Sequence, residues 1–376
     1  MRKIRLISIA LLLFSVQLAH SQALTLPPSG DNQKASVSQW IGLVKATIDY
    51  SSPDVSTPSG KSRKGEIWGK LVPYGFTDLG FGYGNPSPWR AGANMNTIFT
   101  VSHDVLIEGK KLPAGTYGLH IAVGEDECTV VFSNNSSSWG SYFYKEEEDA
   151  LRVTVKPAKS EYTEWLTYEF IERNPDNSVC ALKWEELMIP FKIEVPNINE
   201  LYLTEIRKEL RSGTGFTWIN WMQAAGFCLQ NNINLEEALT WADAAIGAPF
   251  VGNKNFQTLQ MKSRILAKLG KAEEAKTVLL EAANLATDPT QIHGLGRQLM
   301  AAGKKAEAMA MFQLNAKKFE GQWPTNVGLA RGYSAEGNYK KALKYAKLAY
   351  EKAPDELNKK ALEAGIEKLK KGEDMN

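Results

Sequence analysis

From residue 219 to residue 354 the chain repeats itself. Four rows of about 34 residues can be written under one another, and Ala238, Ala275, Ala308 and Ala342 then fall in one column at spacings of 37, 33 and 34. Each row carries a glycine or polar turn, then the alanine, then apolar residues at helical spacing. A unit of this length cannot bury its apolar face alone, so the period dictates a stack of helical units whose core runs through successive neighbours. The alanine column fits that stack, because helices approach closely only where side chains are small.

The last row, WPTNVGLARGYSAEGNYKKALKYAKLAYEKAP, is the clearest. Leu329, Ala330, Tyr333, Ala342, Ala346, Ala349 and Pro354 match the tetratricopeptide pattern, and this half of the chain resembles that repeat family. Met222, Ala225, Gly226, Leu229 and Ala245 hold the register in the first row, and Leu295, Gly296, Leu299 and Phe312 in the third. The terminal DELNKKALEAGIEKLKK reads as the solvated capping helix such an array requires. The resemblance implies a groove, lined by the first helices of successive hairpins, that takes a protein or peptide partner. Arg264, Arg297 and Arg331 share one position of successive first helices, with Gln260 and His293 one turn earlier. Two readings stand: a basic ladder that receives the carboxylates of an extended acidic partner, or three arginines solvating an exposed face.

Before residue 200 the period is two. Val44, Ala46, Ile48 and Tyr50 share one face of VKATIDY, and Tyr117, Leu119, Ile121 and Val123 share one face of TYGLHIAV. TVVFS, LRVTV, EWLTYEFIE, VCALKWEE and FKIEV are further strands, separated by turn-rich segments such as SNNSSSWGS and RNPDNS. The predicted fold is therefore α+β multidomain: an N-terminal antiparallel β-sandwich followed by an all-α tetratricopeptide-like solenoid. The expected boundaries are a signal peptide over 1–21, a flexible segment over 22–34, the sandwich over 35–196, a linker helix over 197–213 and the repeats with their cap over 214–376.

Arg2, Lys3 and Arg5 precede the apolar LISIALLLFSVQLA, and AHS ends at Ser21 with small residues where a signal peptidase cuts. Cleavage before Gln22 takes three of the 44 Lys and Arg and none of the 42 Asp and Glu, leaving 41 against 42 and a net charge of −1. A near-neutral chain argues against nucleic acid as the main partner, and no transmembrane segment is expected after cleavage. The expected location is the periplasm or the outside of the cell. Cys128, Cys180 and Cys228 allow at most one internal disulfide, Cys128 with Cys180; the other reading is buried free thiols that pack as small apolar residues.

DYSSPDV, GEIWGKLVPYG, PWRAGANMNT, VLIEGKKLPAGTYGLH and CTVVFSNNSSSWGSY resemble, in order and spacing, the secreted bacterial family termed domain of unknown function 2911, frequent in Gram-negative Bacteroidota. The resemblance covers roughly residues 35 to 185. It implies a β-sandwich in an exported protein and no established activity.

The polar residues of that region supply a candidate site. Arg90 either braces its glycine- and asparagine-rich loop on backbone carbonyls or presents a fork to a carboxylate or phosphate. His120 lies on the Thr116, Gly118, Ala122 face of its strand, where little bulk surrounds it, and is expected in a shallow pocket as a ligand, a base or a structural histidine. With Trp89 and Tyr117 close in the pattern, Arg90, Asn94 and His120 form a possible glycan or small-anion site. His and Cys pairs at metal-ligand spacing are missing, so neither a metal nor a cofactor is expected. No G-x-S-x-G elbow occurs, GFGYGNP is not G-x-G-x-x-G, GEIWGK is one residue short of a phosphate loop, and KEEED lacks calcium-loop spacing. The function expected is a non-catalytic interaction or scaffold protein working through its repeats. An enzyme built around Arg90, Asn94 and His120 is the alternative.

Overall fold

The computed structural model describes residues 32–78, 80 and 82–376. The expected signal peptide, and all but the end of the expected flexible segment, lie outside the described residues. The chain divides into two compact units, one ending at Leu201 and one beginning at Tyr202.

Among the described residues the first unit holds ten strands: β1 (Gln33–Ile41), β2 (Val44–Ser52), β3 (Thr97–Val101), β4 (Val105–Ile107), β5 (Lys110–Leu112), β6 (Gly115–Ala122), β7 (Cys128–Ser133), β8 (Asp149–Val155), β9 (Ala158–Arg173) and β10 (Asn177–Glu194). They form a six-stranded sheet in the order β1-β2-β3-β6-β7-β8 and a four-stranded sheet in the order β5-β4-β10-β9, antiparallel throughout. Both sheets turn apolar residues onto one core, where Phe191 of β10 meets Phe99 and Phe132 edge to face at 6.3 and 5.8 Å. That is a sandwich. Val44, Ala46, Ile48 and Tyr50 are buried as the alternation predicts.

Two details differ from the sequence reading. VCALKWEE and FKIEV, read as separate strands, belong to the single strand β10, whose register shifts on either side of Glu185, a residue at φ 56°. Pro190 has no N–H to give, and it falls between Met188, the last residue paired to β9, and Ile193, the first paired to β4. The three cysteines are all buried and unbridged, so the second reading of them holds.

The second unit is helical. Helix α1 (Ile198–Glu209) starts in the first unit and runs into the second, followed by α2 (Trp218–Asn231), α3 (Leu235–Gly247), α4 (Phe256–Lys268), α5 (Ala272–Leu285), α6 (Pro289–Ala301), α7 (Lys305–Lys318), α8 (Trp323–Ala335), α9 (Tyr339–Glu351) and α10 (Glu356–Lys370). Residues 232–234, 269–271, 302–304 and 336–338 are the turns of four hairpins. The last three turns centre on Gly270, Gly303 and Gly337, all at φ 76–79°, while the first uses left-handed Asn232 and Asn234 instead. Ala238, Ala275, Ala308 and Ala342 are each the fourth residue of their hairpin's second helix, and all are buried. Leu362, Ile366 and Leu369 of α10 close the last apolar cluster, as a cap must. Among the described residues, no helix is long and apolar enough to cross a membrane.

Phe312 of α7 shows what the small residues do. It is fully buried, and a Cβ added at Gly296 of α6 would lie 2.2 Å from its Cε1, one at Gly328 of α8 2.6 Å from its Cδ1, and one at Gly332 of α8 3.1 Å from its Cδ2. Three glycines thus form the socket for one ring. Helix propensity alone says that Gly296→Ala stabilises by about 1 kcal/mol, whereas overpacking costs roughly 1–3 kcal/mol or more. We expect Gly296→Ala to lower the denaturant midpoint, and Phe312→Leu to offset part of that loss in a double-mutant cycle.

Candidate functional site

The described residues of 53–96, between β2 and β3, contain no strand of regular length, an unusual span of irregular chain for a compact domain. The segment is held to the sandwich by backbone pairing: Trp89 donates to the Ile121 carbonyl at 3.0 Å and Ile121 returns a bond to Trp89 at 2.8 Å. The chain then turns sharply through Ala91 at φ 51° and Asn94 at φ 58°. A left-handed alanine costs roughly 1–2 kcal/mol. Two buried bonds to the Ala91 carbonyl offset it, from Thr97 Oγ1 at 3.1 Å and Tyr168 Oη at 2.8 Å. Gly92 must be glycine, since a Cβ there would sit 2.6 Å from Thr97 Oγ1.

This turn sets Arg90. Its Nη1 donates to the Asn94 carbonyl at 2.5 Å, and the guanidinium lies against Gly140, where a Cβ would come within 2.6 Å of Nε and Cζ. Among the described residues no carboxylate pairs with Arg90, and Nη1 is its only nitrogen with a protein acceptor. Burial pushes its pKa below the ordinary guanidinium value. Arg90 and Trp89 line a cavity of about 400 Å³ with Trp184, Ser141, Arg63 and Val72. Trp89 stacks on Trp184 at 6.1 Å, and Trp68 meets both edge to face. Arg63 differs from Arg90: it donates to the Asp54 and Val55 carbonyls and pairs with the Asp54 carboxylate at 3.4 Å.

Two expectations are corrected here. His120 is not exposed in a shallow pocket but buried, because the segment after β7 folds over the outer face of β6. Asn96 Nδ2 ties that segment down through the Asn135 carbonyl at 3.1 Å and Ser138 Oγ at 2.9 Å. His120 Nδ1 lies 3.0 Å from Ser141 Oγ, so histidine reaches the cavity only through serine. Tyr117 is a core residue whose hydroxyl donates to the Pro113 carbonyl at 2.9 Å, and it takes no part in the cavity wall. Asn94 contributes its backbone oxygen to Arg90, while its side chain accepts from Asn32 Nδ2 at 3.3 Å. Sequence reasoning missed Ser141, Trp184 and Arg63, which come from distant segments that no local pattern connects.

Behind the cavity runs a second polar cluster. Tyr144 edges onto His120, and its hydroxyl and Arg152 Nε both donate to Asp149 Oδ2 at 2.6 Å. Burial drives Asp149 up against the pull of those two donors. A Ser–His pair suggests nucleophilic catalysis, but the charge that His120 faces is the Arg90 cation, which disfavours the imidazolium a general base must become.

In the helical unit Arg264, Arg297 and Arg331 are each the ninth residue of their helix, in α4, α6 and α8. Gln260 and His293 are likewise each the fifth, in α4 and α6. Arg264 and Arg297 are exposed and Arg331 is half-buried. Arg297, Arg331 and His293 act on one another electrostatically, while Arg264 stands outside that set. Among the described residues none of the three arginines forms an ion pair. Residues 374–376 lie along α8, which the sequence did not indicate: Met375 N donates to Ser334 Oγ at 3.0 Å, Ser334 Oγ to Asp374 at 2.6 Å, and Asn376 Nδ2 to the Arg331 carbonyl at 3.1 Å.

Fold and site together define a β-sandwich with an Arg- and Trp-walled cavity, fused to a tetratricopeptide-like array. Residues 32–193 match the model of a family described as protein of unknown function (DUF2911), which bears out the resemblance seen in the sequence. No curated protein matches the chain. Among solved structures, the chain is similar to the crystal structure of YrrB, described as a TPR protein with an unusual peptide-binding site, at 21% identity and a TM-score of 0.30, over 44% of this chain and 84% of that one.

The buried His120 generates a pH dependence. His120 is pushed down to about 4, first by burial and then by Arg90, so the folded protein keeps it neutral while the unfolded chain protonates near the ordinary value of about 6.5. Stability present above that range is lost as pH falls from about 6.5 towards 4, on the order of 3 kcal/mol from this residue. Urea titrations across that range should show a shallower acid loss for His120→Gln than for the wild type.

Proposed function

We propose that the protein is an exported interaction protein whose helical repeats hold an extended, acidic segment of a protein partner in the periplasm or outside the cell. A β-sandwich joined to tetratricopeptide-like hairpins is the architecture of an interaction scaffold. The amino-terminal signal pattern supports export. The observation that carries the reading is the contact of α8 with residues 374–376. There one first helix engages a short stretch of chain through a serine and an arginine carbonyl; burial and the neighbouring Arg297 push the Arg331 pKa down, and Asp374 pulls against them. Arg297 and Arg264 repeat the arginine at the same register on the neighbouring first helices, without ion pairs of their own among the described residues. A chain of carboxylates is what such a ladder would satisfy.

Fluorescence anisotropy with a labelled glutamate-rich peptide tests this. Binding should weaken with salt and fall at least about tenfold in Arg264→Glu/Arg297→Glu, both surface positions, and a lysine-rich control peptide should not bind. Equal affinity before and after charge reversal sinks the reading.

A further inference from the structure

We infer that the cavity of the β domain is a binding site for a small organic carboxylate, with Arg90 as its anion receptor and the tryptophan pair as its apolar wall. This is independent of the helical repeats and does not fall with them.

The charges make the first argument. Among the described residues that line the cavity none is acidic and two are arginines. Arg63 is neutralised by Asp54 and consumed by backbone carbonyls. Arg90 spends one Nη1 bond on the Asn94 carbonyl, and its other N–H groups donate to no protein atom among the described residues. A half-buried guanidinium is costly to leave without a counter-charge, and its planar fork matches a carboxylate. One unpaired cation in the wall fits a monoanion; a phosphate dianion would call for a second, and Arg63 is already committed.

The placement of Arg90 makes the second. A brace for Asn94 needs only one N–H, yet the surroundings fix the whole guanidinium plane: Gly140, at φ 57°, leaves it room where any Cβ would collide. Two left-handed non-glycine residues, Ala91 and Asn94, flank the turn that presents it, and strain of this kind is concentrated at ligand sites.

The walls make the third. Trp89 and Trp184 stand nearly parallel at an interplanar angle of 15°, and Val72 and Leu71 add apolar surface. Trp184 is 2% exposed, and its indole N–H is buried without a partner among the described residues. Ser141 supplies a hydroxyl held by neutral His120. A volume of about 400 Å³ sits at the small end of ligand cavities, so the occupant is a carboxylate on a compact aliphatic or aromatic body.

Titration calorimetry and tryptophan fluorescence of the full chain with benzoate, phenylacetate and hexanoate test the inference, with benzamide as the uncharged isostere and inorganic phosphate as the bare oxyanion. At least one carboxylate should bind and change the fluorescence, with benzamide and phosphate at least about tenfold weaker. Arg90→Gln should lose about tenfold or more and Arg90→Lys less. Because Arg90 also braces Asn94, the second variant is Ala93→Leu, which narrows the cavity and leaves that bond in place; it too should lose binding while melting as the wild type does. Benzamide or phosphate binding as tightly as benzoate, unchanged affinity in both Arg90→Gln and Ala93→Leu, or no binding of any of the three carboxylates at about 10 mM to folded protein would each overturn it.

Discussion

Backbone hydrogen bonds to the sheets hold the β domain's distinctive part in place: Val55 bonds to Glu164, Gly75 to Val123 and Ala93 to Ser51, and the reciprocal pair between Trp89 and Ile121 fixes the stretch that leads into Arg90. With them the segment becomes a wall fixed to β6, and the turn after Trp89 starts from a known point. The left-handed Ala91, the close-packed Gly92 and the direction of Arg90 all follow from that anchor. The cavity is thus defined by backbone geometry first and side chains second. Its polar groups keep their positions because the carbonyls they use are themselves fixed.

The helical unit rests on a different constraint, closeness of approach. Alanine at the fourth position of every second helix, and three glycines around Phe312, let helices come near enough for a ring to fill the space between them. The same register that aligns the small residues aligns whatever follows them. Arg264, Arg297 and Arg331, each the ninth residue of its helix, therefore occupy equivalent places on successive first helices.

This explains what the sequence could and could not disclose. The repeats were legible because period, turn glycines and alanine column are local signals that repeat four times. β2 and β6 were legible because alternation survives in them. β10 was read as two strands because a bulge at Glu185 and a proline at 190 interrupt its alternation while its hydrogen bonding merely changes partner. β1 went unread, since an edge strand with mostly exposed residues, QKASVSQWI, carries little apolar contrast. In the site, Arg90 and Trp89 were visible as a polar-aromatic knot in WRAGAN. His120 was misjudged because the small residues beside it mark the place where another segment lies down, and only the fold shows that segment.

The three cysteines carry a further consequence. Cys128 on β7 and Cys180 on β10 pack in the sandwich core and Cys228 of α2 in a helical one, and burial pushes the thiols of the first two above their ordinary range. A buried thiol whose pKa is raised yields little thiolate, the form that attacks disulfides, so Cys128 and Cys180 are poor exchange nucleophiles in the folded chain. The fold of the described residues thus holds together without a covalent cross-link, by packing and hydrogen bonding alone.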